Sequence, residues 1–310
     1  MAIDRPADSV DSAVARGVRV GFAAYTIWGF LTIYWKQLSA FGAIELIGWR
    51  MLTAAVVMAA LTTVRGNWAP LVVALRDRGT QHRLVAAALL LTVNWGSYVW
   101  AVVNDRVIET ALGYFIAPLA TMGIGVLVLH ERATGAQRFA FVCSSCAVVI
   151  LTISYGHPPW IALVLAATWS LYGLSKRRIP LGPVAGLTGE TLVLCGPALA
   201  IVAISSTRAG SVVASADAAE WGFALGTGLI TAIPLVMFAS AAQSIPFTLL
   251  GPLNLLVPVI NFGLGWALFD EPMPAARFVG FAFVWVALVA VMSDRVRRGR
   301  GPSPAIPAVT

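Results

Sequence analysis

The 310-residue chain is 59% hydrophobic and 11% charged, with a mean hydropathy of +0.83 and a formal net charge of +7. That leaves too little polar surface to cover a water-soluble globule, which excludes ordinary soluble enzymes and binding domains and makes the bilayer the solvent. Lipid offers backbone amides no partner, so spanning elements are helices or closed barrels; near-continuous apolar runs, rather than alternating ones, select helices.

Residues 1–16 are polar and acidic, and read as a disordered cytoplasmic tail without the apolar core of a cleavable signal peptide. At about 20 residues per crossing, helices are expected at 17–38, 43–64, 84–103, 108–129 and 137–154. Five more follow at 159–176, 184–206, 220–242, 247–269 and 274–293. The longest loop, 65–83, is read as polar and basic, and residues 295–310 form a second cytoplasmic tail.

The second five segments repeat the first. Pro118, Gly123, Gly125, Glu131, Ala136 and Phe141 recur, 140 residues later, as Pro258, Gly263, Gly265, Glu271, Ala276 and Phe281. An odd number of crossings per copy turns the second copy upside down. The expected fold is therefore all-α: a polytopic membrane protein with ten transmembrane helices in two inverted five-helix repeats, 17–154 and 155–294. Such repeats typically hold a solute near the bilayer midplane. Sixteen of the 21 Lys and Arg residues then fall on the side of the termini. Only Lys36, Arg106, Arg208 and Arg277 fall opposite, with Arg50 left inside a span. The positive-inside rule puts both termini in the cytoplasm, and it accounts for the basic loops without nucleic-acid binding.

Charged residues inside a span carry the functional signal, because each costs free energy unless it meets a wet cavity or a partner. Arg50 and Glu190 are such residues, about 10 Å into the second and seventh helices at 1.5 Å per residue, from opposite surfaces. They are repeat mates, also 140 apart. Either both line one cavity, or Arg50 pairs with Glu45 or Glu109 or snorkels outward. Glu190 and Glu109 are the carboxylates considered for proton coupling.

An aromatic and amide set recurs at one-to-four spacings that share helix faces. It comprises Tyr25 and Trp28; Asn94, Trp95, Tyr98 and Trp100; Tyr114; Trp169 and Tyr172; and Asn254 with Asn261. These could offer stacking faces and hydrogen bonds to an organic solute. Trp35, Trp49, Trp68, Trp160 and Trp221 are read as an interfacial belt. Cys143, Cys146 and Cys195 are read as small apolar fillers, and Pro118, Pro234, Pro252 and Pro258 as kinks. No G-x-x-x-x-G-K-[ST], H-E-x-x-H or G-x-S-x-G motif occurs. Neither cofactor nor metal is expected, and the partners are a small-molecule solute and membrane lipid. A secondary carrier is favoured over an intramembrane enzyme.

The segments AYTIWGF (24–30), ELIGWRML (45–52), NWGSYVWAV (94–102), ALGYFIAPL (111–119), PWIALVLAATWSLYGLSK (159–176), GLTGETL (186–192) and PLVMFASAA (234–242) resemble the RarD-type branch of the EamA family, in the drug/metabolite transporter superfamily. The resemblance spans about 17–294. It implies a ten-helix inner-membrane carrier of two EamA-like repeats, associated with export of metabolites or amino-acid-like solutes. The ninth helix departs from the branch: Asn254, Leu255 and Asp270-Glu271 stand where a Gln-Tyr pair and a Gly-Glu are usual. The resemblance therefore does not transfer a substrate.

Overall fold

Apolar runs that cannot leave amides unpaired coil into helices, and a computed structural model gives their bounds for residues 7–127, 133–244 and 253–299. Expectations for residues 1–6, 128–132, 247–252 and 300–310, including Glu131 and Pro252, lie outside the described residues. The first half holds α1 (Ala7–Lys36), α2 (Ala43–Val64), a short α3 (Trp68–Ala74), α4 (Arg78–Val103), α5 (Val107–Leu127) and α6 (Gly135–Tyr155). The second holds α7 (Trp160–Arg177), α8 (Pro183–Ser206), a one-turn α9 (Val212–Ser215), α10 (Ala218–Ser244), α11 (Leu256–Ala267) and α12 (Ala275–Gly299). No strand occurs among the described residues, and seven of these helices are long and apolar enough to cross a membrane.

Three boundaries depart from the sequence expectation. α1 begins at Ala7, so residues 7–16 are helical rather than tail, and α12 likewise runs on to Gly299. The 65–83 loop is not simply polar: α3 lies inside it with Leu71 buried, and α4 starts six residues early. Asp77 explains that early start. Its carboxylate accepts from Gly79 N at 3.3 Å and Thr80 N at 2.8 Å, capping amides that a helix start leaves orphaned. Basic residues propagate a helix well, so a hydropathy window misses the turn they occupy.

The most extensive helix pairings all join one half to the other: α6 with α12, α2 with α8, α5 with α7, α1 with α10, and α2 with α10. The pairs α4 with α7, α5 with α11 and α1 with α11 also cross between the halves. Small residues permit the closest approaches. A Cβ on Gly228 of α10 would stand 2.3 Å from the backbone carbonyl carbon of Thr53 in α2, and one on Gly113 of α5 would stand 3.1 Å from backbone atoms of Ala162 in α7. Beyond α11, Glu271 accepts from the amides of Val107 (2.5 Å) and Ile108 (2.9 Å), capping α5 across the halves. Outward faces carry exposed Val56, Val149, Ile153, Leu199 and Val289, the apolar coat that lipid requires.

Candidate functional site

Between these helices lies a cavity of ≈ 90 Å³, space for several waters or for the small end of an organic solute. Trp28 and Leu31 of α1, Arg50 of α2, Leu91, Asn94, Trp95 and Tyr98 of α4, and Tyr114 of α5 form one side. Trp169 and Tyr172 of α7, Leu187 of α8, Thr231 and Leu235 of α10, and Asn254 and Val257 at α11 form the other. Most of the wall is aromatic or aliphatic, and Arg50 is its one charged member among the described residues.

Arg50 is 4% exposed and makes no ion pair among the described residues. Its guanidinium lies 4.2 Å from the Trp95 ring centroid and 5.3 Å from that of Trp35, while Nε and Nη1 are buried without a hydrogen-bond partner among the described residues. The acids that the sequence offered as partners are engaged elsewhere. Glu45 accepts from Val212 N at 2.9 Å, and Glu109 Oε1 faces Arg106 at 3.4 Å while its Oε2 is buried without a hydrogen-bond partner among the described residues. Trp35 is fully buried against Arg50 rather than in an interfacial belt, because the cation requires an aromatic face at that depth.

Hydrogen bonds hold the polar wall residues in place. Asn94 donates to Leu165 O at 3.1 Å and Thr168 Oγ1 at 2.9 Å, tying α4 to α7. The Tyr98 hydroxyl and Thr32 Oγ1 are 2.8 Å apart, and Thr32 donates to Asn261 Oδ1 at 2.9 Å. With that proton committed, Tyr98 is the donor to Thr32. Tyr114 packs on Tyr98 with ring centroids 6.0 Å apart.

The profile of the EamA-like transporter family matches residues 15–153. Protein RarD of Streptomyces exfoliatus is 42% identical over 92% of this chain and 90% of its own length. This chain belongs to the RarD branch of the EamA family. Protein RarD of Escherichia coli is 30% identical over 93% of this chain and 97% of its own. An uncharacterized transporter of Pseudomonas aeruginosa is 34% identical over 91% and 95%. One crystal structure, 19% identical, covers 92% of the chain and 99% of its own with a TM-score of 0.57, a likeness of fold alone.

In this RarD-branch protein the remaining candidates stand outside the cavity wall. Glu190 is fully buried: Oε2 accepts from the Tyr172 hydroxyl at 2.9 Å, and Oε1 accepts from Lys176 Nζ at 2.6 Å. It thus meets the wall through Tyr172. Asn261 forms a second layer behind Tyr98 through Thr32. Tyr25 packs edge-on to Phe238 at 5.8 Å and beside Trp28 at 5.6 Å, whereas Trp100 packs on Trp160 at the far end of α4. Sequence reasoning missed Leu31, Leu91, Leu187, Thr231, Leu235 and Val257. An aliphatic side chain facing a cavity reads the same as one facing lipid, and so does a threonine such as Thr231 whose hydroxyl bonds its own helix backbone.

Proposed function

We propose that this chain is a secondary carrier of the bacterial inner membrane, exporting a small organic metabolite or amino-acid-like solute by alternating access. Ten helices cross the membrane as two inverted five-helix repeats, with both termini cytoplasmic. The observation that carries this reading is the composition of the cavity wall, drawn from α1, α2, α4 and α5 of one half and α7, α8, α10 and α11 of the other. Rocking one half against the other would reshape such a site directly.

The helix pairings support a twofold relation between the halves, and five crossings in each would make it an inversion. Exchanging α1 with α7, α2 with α8, α4 with α10, α5 with α11 and α6 with α12 turns the pair α1–α10 into α7–α4. It also turns α5–α7 into α11–α1 and α2–α10 into α8–α4, and every one of these pairs is present. A passive facilitator of the same architecture is the second reading, favoured by the absence of any carboxylate from the cavity wall among the described residues.

The test begins with metabolites in the medium of overexpressing and deleted cells, followed by flux of the enriched solute in vesicles holding purified protein. A carrier moves the solute unchanged. A chemical product formed by the protein in detergent, or flux equal to that of empty vesicles, would overturn the reading.

A further inference from the structure

We propose that the cavity recognises a carboxylate: Arg50 anchors the anionic end of a small organic acid whose flat or branched apolar body lies against Trp28, Trp95 and Trp169. The assignment refines the carrier reading above by naming the class of solute, and it rests on three observations.

The first is an unbalanced charge. Arg50 is nine-tenths or more buried, yet Nε and Nη1 have no partner and no carboxylate lines the cavity it faces, among the described residues. Leaving a buried cation uncompensated costs several kcal/mol. The faces of Trp95 and Trp35 offset only part of that cost. A ring face also satisfies no N–H in its own plane. The guanidinium therefore retains unmet donors: Nε and Nη1 lie on different edges, and each forms with Nη2 a parallel N–H pair that matches a carboxylate.

The second is the polarity of the neighbouring hydroxyls. Tyr98 donates to Thr32, whereas the Tyr114 hydroxyl has no hydrogen-bond partner among the described residues. Tyr114 is thus free to supply a further donor to the same anion. The remaining wall hydroxyls are committed: Thr231 turns its proton back to Thr227 O at 2.8 Å, and Tyr172 donates to Glu190 at 2.9 Å.

The third is the rest of the wall. Apart from Arg50 and the amide of Asn254 it is aromatic, aliphatic or already hydrogen-bonded, so it suits an apolar body and, among the described residues, holds no carboxylate to neutralise an ammonium group. Inorganic oxyanions share the anionic chemistry but lack that body, and the experiment separates the two sources.

Purified protein in detergent is titrated with acetate, isovalerate, phenylacetate, phenylacetamide, phenethylamine and inorganic phosphate, followed by calorimetry and tryptophan fluorescence. Isovalerate or phenylacetate is expected to bind saturably, more tightly than acetate or phosphate, while the neutral amide and the amine bind at least about tenfold more weakly, the loss of a charge-assisted contact. Arg50→Gln should weaken carboxylate binding by about tenfold or more, and Arg50→Lys, which keeps the charge but loses the fork, by less. Tyr114→Phe keeps the charge and the ring, and should weaken the carboxylate without altering the amide, so the proposal stays testable if Arg50→Gln fails to fold. Saturable binding of no carboxylate, equal binding of the amide or amine, or tighter binding of phosphate overturns it. Vesicle flux reports separately: a chain that binds carboxylates and moves no solute would sink the carrier reading and leave this one standing.

Discussion

The Tyr172 hydroxyl, itself in the cavity wall, donates to Glu190 Oε2 at 2.9 Å. One hydrogen bond therefore separates a fully buried carboxylate from the space a solute would enter, and Lys176 holds the opposite oxygen of the same carboxylate. Glu190 and Arg50, 140 residues apart in the chain, thus differ in circumstance: one is paired behind the wall, the other, among the described residues, unpaired within it.

The Lys176–Glu190 pair should respond asymmetrically to substitution. Lys176 keeps 27% of its side chain exposed and Glu190 none, so the lysine can rehydrate alone and the carboxylate cannot. Lys176→Gln is expected to cost about 3 kcal/mol of stability and Glu190→Gln nearer 1–2 kcal/mol, with the double variant recovering part of the larger loss. Thermal unfolding in detergent ranks the three, and a lower midpoint for Glu190→Gln than for Lys176→Gln would show that the lysine does not neutralise the site.

If Glu190 loads protons during transport, the route from the cavity runs through Tyr172. Tyr172→Phe should then leave solute counterflow within about twofold of wild type while abolishing flux driven by an imposed pH gradient. Wild-type flux indifferent to that gradient would identify a facilitator instead.

Close approach of α10 to α2 makes Gly228 a packing requirement. Gly228→Ala must push α10 away from the Thr53 backbone, at an expected cost of about 1–3 kcal/mol. Gly222→Ala, on the same helix with nothing within 4 Å, serves as the control and should unfold within a degree or two of wild type. Equal midpoints for the two variants would show that the helices can separate without penalty.

Fold and site were legible to different depths. The expected bounds of α2, 43–64, coincide with Ala43–Val64, because Gly42 precedes a mostly apolar run that Arg65, Gly66 and Asn67 end. The start of α4 was not, since its first turn is basic and only the Asp77 cap reveals it. In the site, Arg50, Trp28, Asn94, Tyr98, Tyr114, Trp169, Tyr172 and Asn254 announced themselves by polarity or aromatic character within spans, and they share one cavity. Glu190 was equally conspicuous, yet its role as the partner of Lys176 depends on how two helix ends approach, which spacing along the chain does not encode. Trp35 gave the opposite problem: near a helix end, a ring that stacks on a buried cation has the same sequence signature as one at the lipid interface.

Orientation is testable with exposed positions. In a background free of Cys143, Cys146 and Cys195, an impermeant thiol reagent should label Ala209→Cys, between α8 and α9, in intact cells. His82→Cys, in the first turns of α4, should react only after the membrane is opened. The reverse pattern would invert the proposed orientation.

Because the widest helix faces meet between halves, synthesis imposes a waiting period. The ribosome delivers α1 to α6 before any of α7 to α12 exists, and at ~5–20 residues per second the second half takes roughly 10–30 s to emerge. Through that interval α2 and α6 have lipid where α8 and α12 will later sit, and the amides of Val107 and Ile108 await Glu271. A nascent chain stalled near residue 155 is thus an insertion intermediate with uncovered faces, the form on which membrane chaperones and proteases have longest to act.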